Sequence, residues 1–74
     1  MDKTFDGTMD REKFSKNLPY FLKNRDMKVA ELARETPGFT ARQIRAAIKD
    51  PKKVTLGMAE AVAKALGIRL DYLI

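Results

Sequence analysis

Arg42, Arg45 and Lys49 are the residues of this chain whose types and spacing could do chemistry. They stand three and four positions apart, which places them along one side of a helix. Guanidinium and ammonium groups arranged this way, with no acid among them, make a surface for a polyanion. The surrounding stretch, Phe39-Thr40-Ala41-Arg42-Gln43-Ile44-Arg45-Ala46-Ala47-Ile48-Lys49-Asp50, carries its own start and stop signals. Thr40 is followed at the third position by Gln43, the spacing of a capping box. Asp50 precedes Pro51 and is pushed out of the helical region by it. At about 100° per residue, Ile44, Ala47 and Ile48 share one face, and Arg42, Arg45, Ala46 and Lys49 share the opposite one. The stretch reads as a helix held by its apolar side that meets DNA with its basic side.

Composition excludes most alternatives. The chain has 74 residues, no cysteine and no histidine. Disulfides, thiolate or histidine metal sites, and Ser-His or Cys-His nucleophiles are therefore excluded. Carboxylates and lysines are present, but no pair stands out in an apolar setting, and there is no phosphate-binding glycine loop. No enzyme activity, cofactor, metal or small-molecule ligand is expected. No apolar run approaches the roughly 18 residues of a membrane span, and no apolar stretch follows the first charges as in a secretory signal. No membrane partner is expected, and the absence of cysteine fits the cytoplasm.

The net charge is +5 and the pI about 9.8. Many small domains are mildly basic, so distribution decides more than the total. Between Phe39 and Leu56, Arg42, Arg45, Lys49, Lys52 and Lys53 face Asp50 alone, so +4 of the +5 lies there. Clustering of this kind is the electrostatic footprint of a nucleic-acid-binding protein.

The other elements must hold that face outward. A chain this short is one domain and buries about 60% of its unfolded surface. Residues 1–9 read as a loose leader, with Lys3 set against Asp2 and Asp6, so no basic N-terminal arm is expected. Met9 offers a second natural start. Asp10 can cap a helix to about Arg25 with Phe14, Leu18, Phe21 and Leu22 as its stripe. Pro19 interrupts it, so the helix either kinks there or starts at Asn17; the kinked form gives Phe14 something to hold it. A second helix spans about Lys28 to Thr36, with Val29, Leu32 and Ala33 inward, and Pro37-Gly38 ends it. After Pro51, Lys52 and Lys53 lie in a loop. Thr55 caps a helix from Leu56 to Leu66, with Leu56, Ala59, Val62, Ala63 and Leu66 inward and Gly67 as its left-handed stop. A last turn covers Leu70 to Leu73. Phe14, Phe21, Phe39 and Leu66 are expected in the core. The predicted fold is all-α, a compact domain of four to five helices over 10–74.

Two short helices joined by a tight turn form a helix-turn-helix. Ala30-Glu31-Leu32-Ala33, then Gly38-Phe39-Thr40, Ile44, Ala63-Lys64-Ala65-Leu66-Gly67-Ile68 and Leu70-Asp71-Tyr72-Leu73 together resemble the phage Cro and repressor family, the lambda repressor-like regulators. The resemblance covers about Phe14 to Ile74. It implies that the stretch 41–49 is the recognition helix, that 28–36 precedes it, and that Ala33 is small because the two helices cross closely. Ile44 would anchor the recognition helix from below. By the same resemblance, Ala41, Arg42, Arg45 and Ala46 meet base edges. Arginines can pair bidentately with guanine, and alanines can touch a thymine methyl. Lys28, Thr40, Gln43, Lys49, Lys52 and Lys53 meet phosphates, with Gln43 also the capping residue. The family often has an amide where Val29 stands and an arginine near Leu22, so two phosphate contacts are absent here. From Ala33 to Ile44 is eleven positions, one more than the usual spacing, which puts an extra residue in the turn.

The resemblance further implies a sequence-specific transcription regulator on a two-fold symmetric double-stranded DNA operator. It would act as a homodimer in the bacterial nucleoid or a phage-infected cytoplasm. Tyr72, Leu73 and Ile74 either close the core or form the dimer contact. An end on Ile74 is compatible with a chain cut from a longer repressor. The alternative reading is an antitoxin-type module that binds a partner protein and its own promoter. Beyond the initial Met1, residues 1–13 offer only Phe5 and Met9 as apolar side chains, which counts against it.

Overall fold

The computed structural model of the chain describes residues 10–74, so the expectations of a loose leader over 1–9, a second start at Met9 and no basic arm fall outside the described residues. Four helices are present among those residues: α1 (Arg11–Asn24), α2 (Val29–Arg34), α3 (Ala41–Lys49) and α4 (Leu56–Leu66). Two 3₁₀ turns accompany them, Pro51–Lys53 and Leu70–Tyr72. No strand occurs among the described residues.

α1 opens where its cap predicts: the Asp10 carboxylate accepts the Lys13 N–H at 3.0 Å. The helix runs through Pro19 instead of starting at Asn17. That choice follows from burial, since Phe14, Leu18 and Leu22 are all inside and Phe14 has no exposed surface. α1 ends in a way no glycine announces. Asp26 adopts a left-handed φ of 53°. The Met27 N–H then reaches the Leu22 carbonyl at 2.9 Å, and the Asp26 N–H reaches Lys23 at 3.1 Å. These two bonds make a Schellman stop, with Asp in place of the usual glycine.

α2 is shorter than predicted, Val29–Arg34 instead of 28–36. Thr36 precedes Pro37, and the ring disfavours a helical Thr36. The Glu31 carboxylate accepts the Lys28 N–H at 2.8 Å and closes the start. α4 has the predicted bounds. The Thr55 hydroxyl accepts the Met58 N–H at 3.1 Å, and Gly67 stops the helix at φ 69°. There the Ile68 N–H bonds the Ala63 carbonyl at 3.0 Å, and the Arg25 guanidinium donates to the Leu66 carbonyl at 2.7 Å. A cation at a helix C-terminus complements the dipole.

The inner face of α4 corrects the sequence reading at one position. Leu56 is 49% exposed, and Met58 is inside beside Ala59, Val62, Ala63 and Leu66. The centre of that buried arc lies about 90° from Leu56 and about 70° from Met58. Phe21 and Phe39 are half-buried at the edge of the core. Leu73 is wholly buried. It closes the core within its own chain and offers no surface to a second copy, so of the two readings open for Leu73 the structure takes core closure and not the dimer contact. α1 and α2 both pack on α3, α2 also reaches α4, and the last 3₁₀ turn packs on α4.

Gly57 lies in the first turn of α4 with ordinary backbone angles, and a Cβ there would meet only the Phe39 ring, at 3.9 Å. Glycine costs a helix roughly 0.5–1 kcal/mol relative to alanine. Gly57→Ala is therefore expected to stabilise the domain by about that amount. Thermal unfolding would show it as a rise of several degrees in Tm.

Candidate nucleic-acid interface

The turn between α2 and α3 determines how α3 is presented. Pro37 and Gly38 are its central residues; Gly38 has φ 92°, and the Phe39 N–H bonds the Thr36 carbonyl at 3.2 Å. Proline second and a positive-φ glycine third are the signature of a type II turn. Thr36 is the only buried polar side chain among the described residues, and its hydroxyl donates to the Leu32 carbonyl at 3.1 Å. Burying that hydroxyl unpaired would cost on the order of 1–3 kcal/mol, so the bond back onto α2 keeps the turn folded against the body.

α3 begins with the capping box read from Thr40 and Gln43. The Thr40 hydroxyl accepts the Gln43 N–H at 3.1 Å, and the Gln43 side-chain oxygen accepts the Thr40 N–H at 2.8 Å. This limits what either residue offers an anion. The Thr40 and Gln43 N–H groups are both occupied, so the open donors at this helix end are the N–H groups of Ala41 and Arg42. The helix stops at Asp50, as Pro51 requires, with the Asp50 N–H on the Ala46 carbonyl at 2.8 Å.

The two faces of α3 fall where periodicity puts them. Ile44 and Ala47 have no exposed surface and Ile48 is half-buried. Arg42, Arg45 and Lys49 are exposed. Ala41 and Ala46, expected at base edges, are half-buried and present less surface than the arginines beside them. Among the described residues the one ion pair is Arg69 to Asp71 at 3.3 Å, so no carboxylate of the described residues pairs with the α3 cations.

Lys52 and Lys53 continue this surface. They sit on the 3₁₀ turn Pro51–Lys53 where the sequence suggested a plain loop. Asp50 makes the difference, because its carboxylate caps the turn by accepting the Lys52 N–H at 3.1 Å. The turn is also pinned from outside: the Arg11 guanidinium donates to the Val54 carbonyl at 3.0 Å, and Val54 is 1% exposed. Neither Arg11 nor Val54 was singled out in the sequence, where a lone arginine at a helix start and a lone valine in a loop give no signal. Both lysines are exposed.

Lys28 is exposed at the start of α2, but its N–H is taken by Glu31. Only its ammonium is left for an anion, with that carboxylate close by. Leu22 and Val29, where the resemblance removes phosphate contacts, instead serve the core, Leu22 buried and Val29 packed at its edge. Ala33 is half-buried against the same core. Tyr72 is 52% exposed with the Arg69 guanidinium 6.0 Å from its ring, and Ile74 is half-buried.

Among the described residues no three acidic, histidine or cysteine side chains gather as a metal site, and no helix is long and apolar enough to cross a membrane. No curated protein and no solved structure matches the chain. A family model does: the Cro/C1-type HTH DNA-binding domain matches residues 17–74, more than half of the chain. That match takes in α2, the type II turn and the basic face of α3, and the chain belongs to the Cro/C1-type helix-turn-helix DNA-binding family.

Proposed function

We propose that the chain is a sequence-specific operator-binding transcription regulator of the phage or prophage repressor type. It acts by occupancy, without catalysis, in the cytoplasm where its operator lies. One observation carries this reading: the cations Arg42, Arg45 and Lys49 stand exposed and unpaired among the described residues, on a helix capped at its start and seated on Ile44 and Ala47. In the major groove, Arg42 and Arg45 read guanine edges, and Ala41 and Ala46 lie against thymine methyls. Lys28, Lys49, Lys52 and Lys53 meet phosphates, which set register without reading sequence. Thr40 and Gln43 shape the helix end that faces the backbone. Two copies bind half-sites about 34 Å apart. With Leu73 inside the core, Tyr72 and Ile74 are left as the dimer surface at the C-terminal turn.

Selection of bound sequences from a random duplex pool tests the proposal. A two-fold symmetric consensus is the expected result; no enrichment overturns it. Lys52→Ala should weaken binding to all sequences alike. It should lower the slope of log affinity against log salt by about one, because one phosphate contact releases about one counterion. Titrations at several salt concentrations check this.

A further inference from the structure

α3 is held to the body almost entirely by apolar contact, through Ile44, Ala47 and Ile48. Apolar contact has no direction. A helix seated only on two isoleucines and an alanine could rotate or slide slightly at small cost, and its arginines would move with it. One polar contact removes that freedom. The Ser15 hydroxyl of α1 donates to the Ala47 carbonyl of α3 at 2.6 Å, across 32 positions of chain. Among the described residues it is the single hydrogen bond that joins α3 to another helix.

The reason this carbonyl is available lies in the sequence. A helical carbonyl accepts the N–H four residues on. For Ala47 that residue is Pro51, which has no N–H. Pro51 thus stops α3 and also frees one inward-facing acceptor at its C-terminal end. Ala47 itself is wholly buried, so water offers a poor substitute, and Ser15 is half-buried beside it. The residue before Ser15, Phe14, is fully buried and fixes that turn of α1. The capping box at the other end of α3 is local and ties the helix to nothing else. Ser15 also precedes the residues 17–74 matched by the family model.

We infer that Ser15 is a positioning residue for DNA readout: its bond to Ala47 sets the rotation and axial position of α3, and with them the aim of Arg42 and Arg45. This rests on the function proposed above, and the test separates the two. The first measurement is the ratio of affinity for the selected duplex to that for an unrelated duplex, at a temperature where each variant is folded. Ser15→Ala should lower the ratio about tenfold, the order of one hydrogen bond left unmade, and leave the salt slope unchanged, since no phosphate contact is touched. A purely structural role would change Tm and leave the ratio alone. Ser15→Thr keeps the hydroxyl and should retain the ratio. If Ser15→Ala does not fold, Ser15→Cys fills the same space with a weaker donor and should again lower the ratio. The second measurement needs no DNA: residual dipolar couplings of α3 amides, referred to the α1 frame, should shift in Ser15→Ala and not in Ser15→Thr. An unchanged ratio overturns the inference. Should the native protein select no sequence, the proposed function falls, and unchanged couplings would then overturn the placement of α3 by Ser15 as well.

Discussion

Phe14→Ala is expected to cost about 3–5 kcal/mol of folding stability. Phe14 has no exposed surface and is among the largest side chains fully inside the core. Truncation loses the transfer free energy of the ring and leaves a cavity that packed helices refill only in part. A domain of this size has roughly 5–10 kcal/mol in total, so the variant should be marginal at room temperature. Urea titration followed by circular dichroism gives the number. Tyr20→Ala on the same helix is the control, because Tyr20 is 69% exposed and a surface substitution of that kind usually stays within about 0.5 kcal/mol. A loss below about 1 kcal/mol for Phe14→Ala would mean that the turns of α1 before Pro19 do not dock on the body. In that case the helix would effectively start near Asn17, the form that burial of Phe14 argues against. DNA binding by the variant should weaken only to the extent that the folded population falls, a relation that a temperature series checks.

Replacing Arg42 and Arg45 together should have the largest effect on binding. Each bidentate arginine–guanine pair gives about 1–3 kcal/mol of discrimination, so either single alanine variant is expected to relax preference at one base pair by roughly 5- to 150-fold. The double variant should fall towards the affinity of the native protein for unrelated DNA. The two losses need not add, because the residues are neighbours on one helix face. Stability should hardly move, since both side chains are exposed and neither is in an ion pair among the described residues. This separates the effect from that of Phe14, where binding follows folding. Competition titration against a panel of single-base variants is the measurement. If the double variant kept both affinity and preference, α3 would not be the reading element, and another surface would carry the sequence recognition.

Residues close in the chain determined a good deal. The start of α3 was legible because Thr40 and Gln43 complete each other's hydrogen bonds within one turn, and its end because Pro51 lacks the donor a helix needs. The same holds for α4 between Thr55 and Gly67. Which side of α3 would be basic followed from helical periodicity alone, and the order of helix, turn and helix carried the family. Interactions of this range are written in adjacent residue types, and packing had only to leave them undisturbed.

The tertiary structure decided the rest. Tyr72 turns outward and Leu73, just after it, inward at the end of a 3₁₀ turn too short to have a periodic face. Met58 replaces Leu56 inside because the body covers an arc of α4 displaced from the one that apolar spacing suggested. Asp26 takes a left-handed angle that its type tolerates without announcing it. The contacts that aim the basic face, Ser15 to Ala47 and Arg11 to Val54, join residues 32 and 43 positions apart. Such pairs have no local signature, because a serine or an arginine on α1 looks like any solvated side chain until the fold brings a carbonyl without a donor against it.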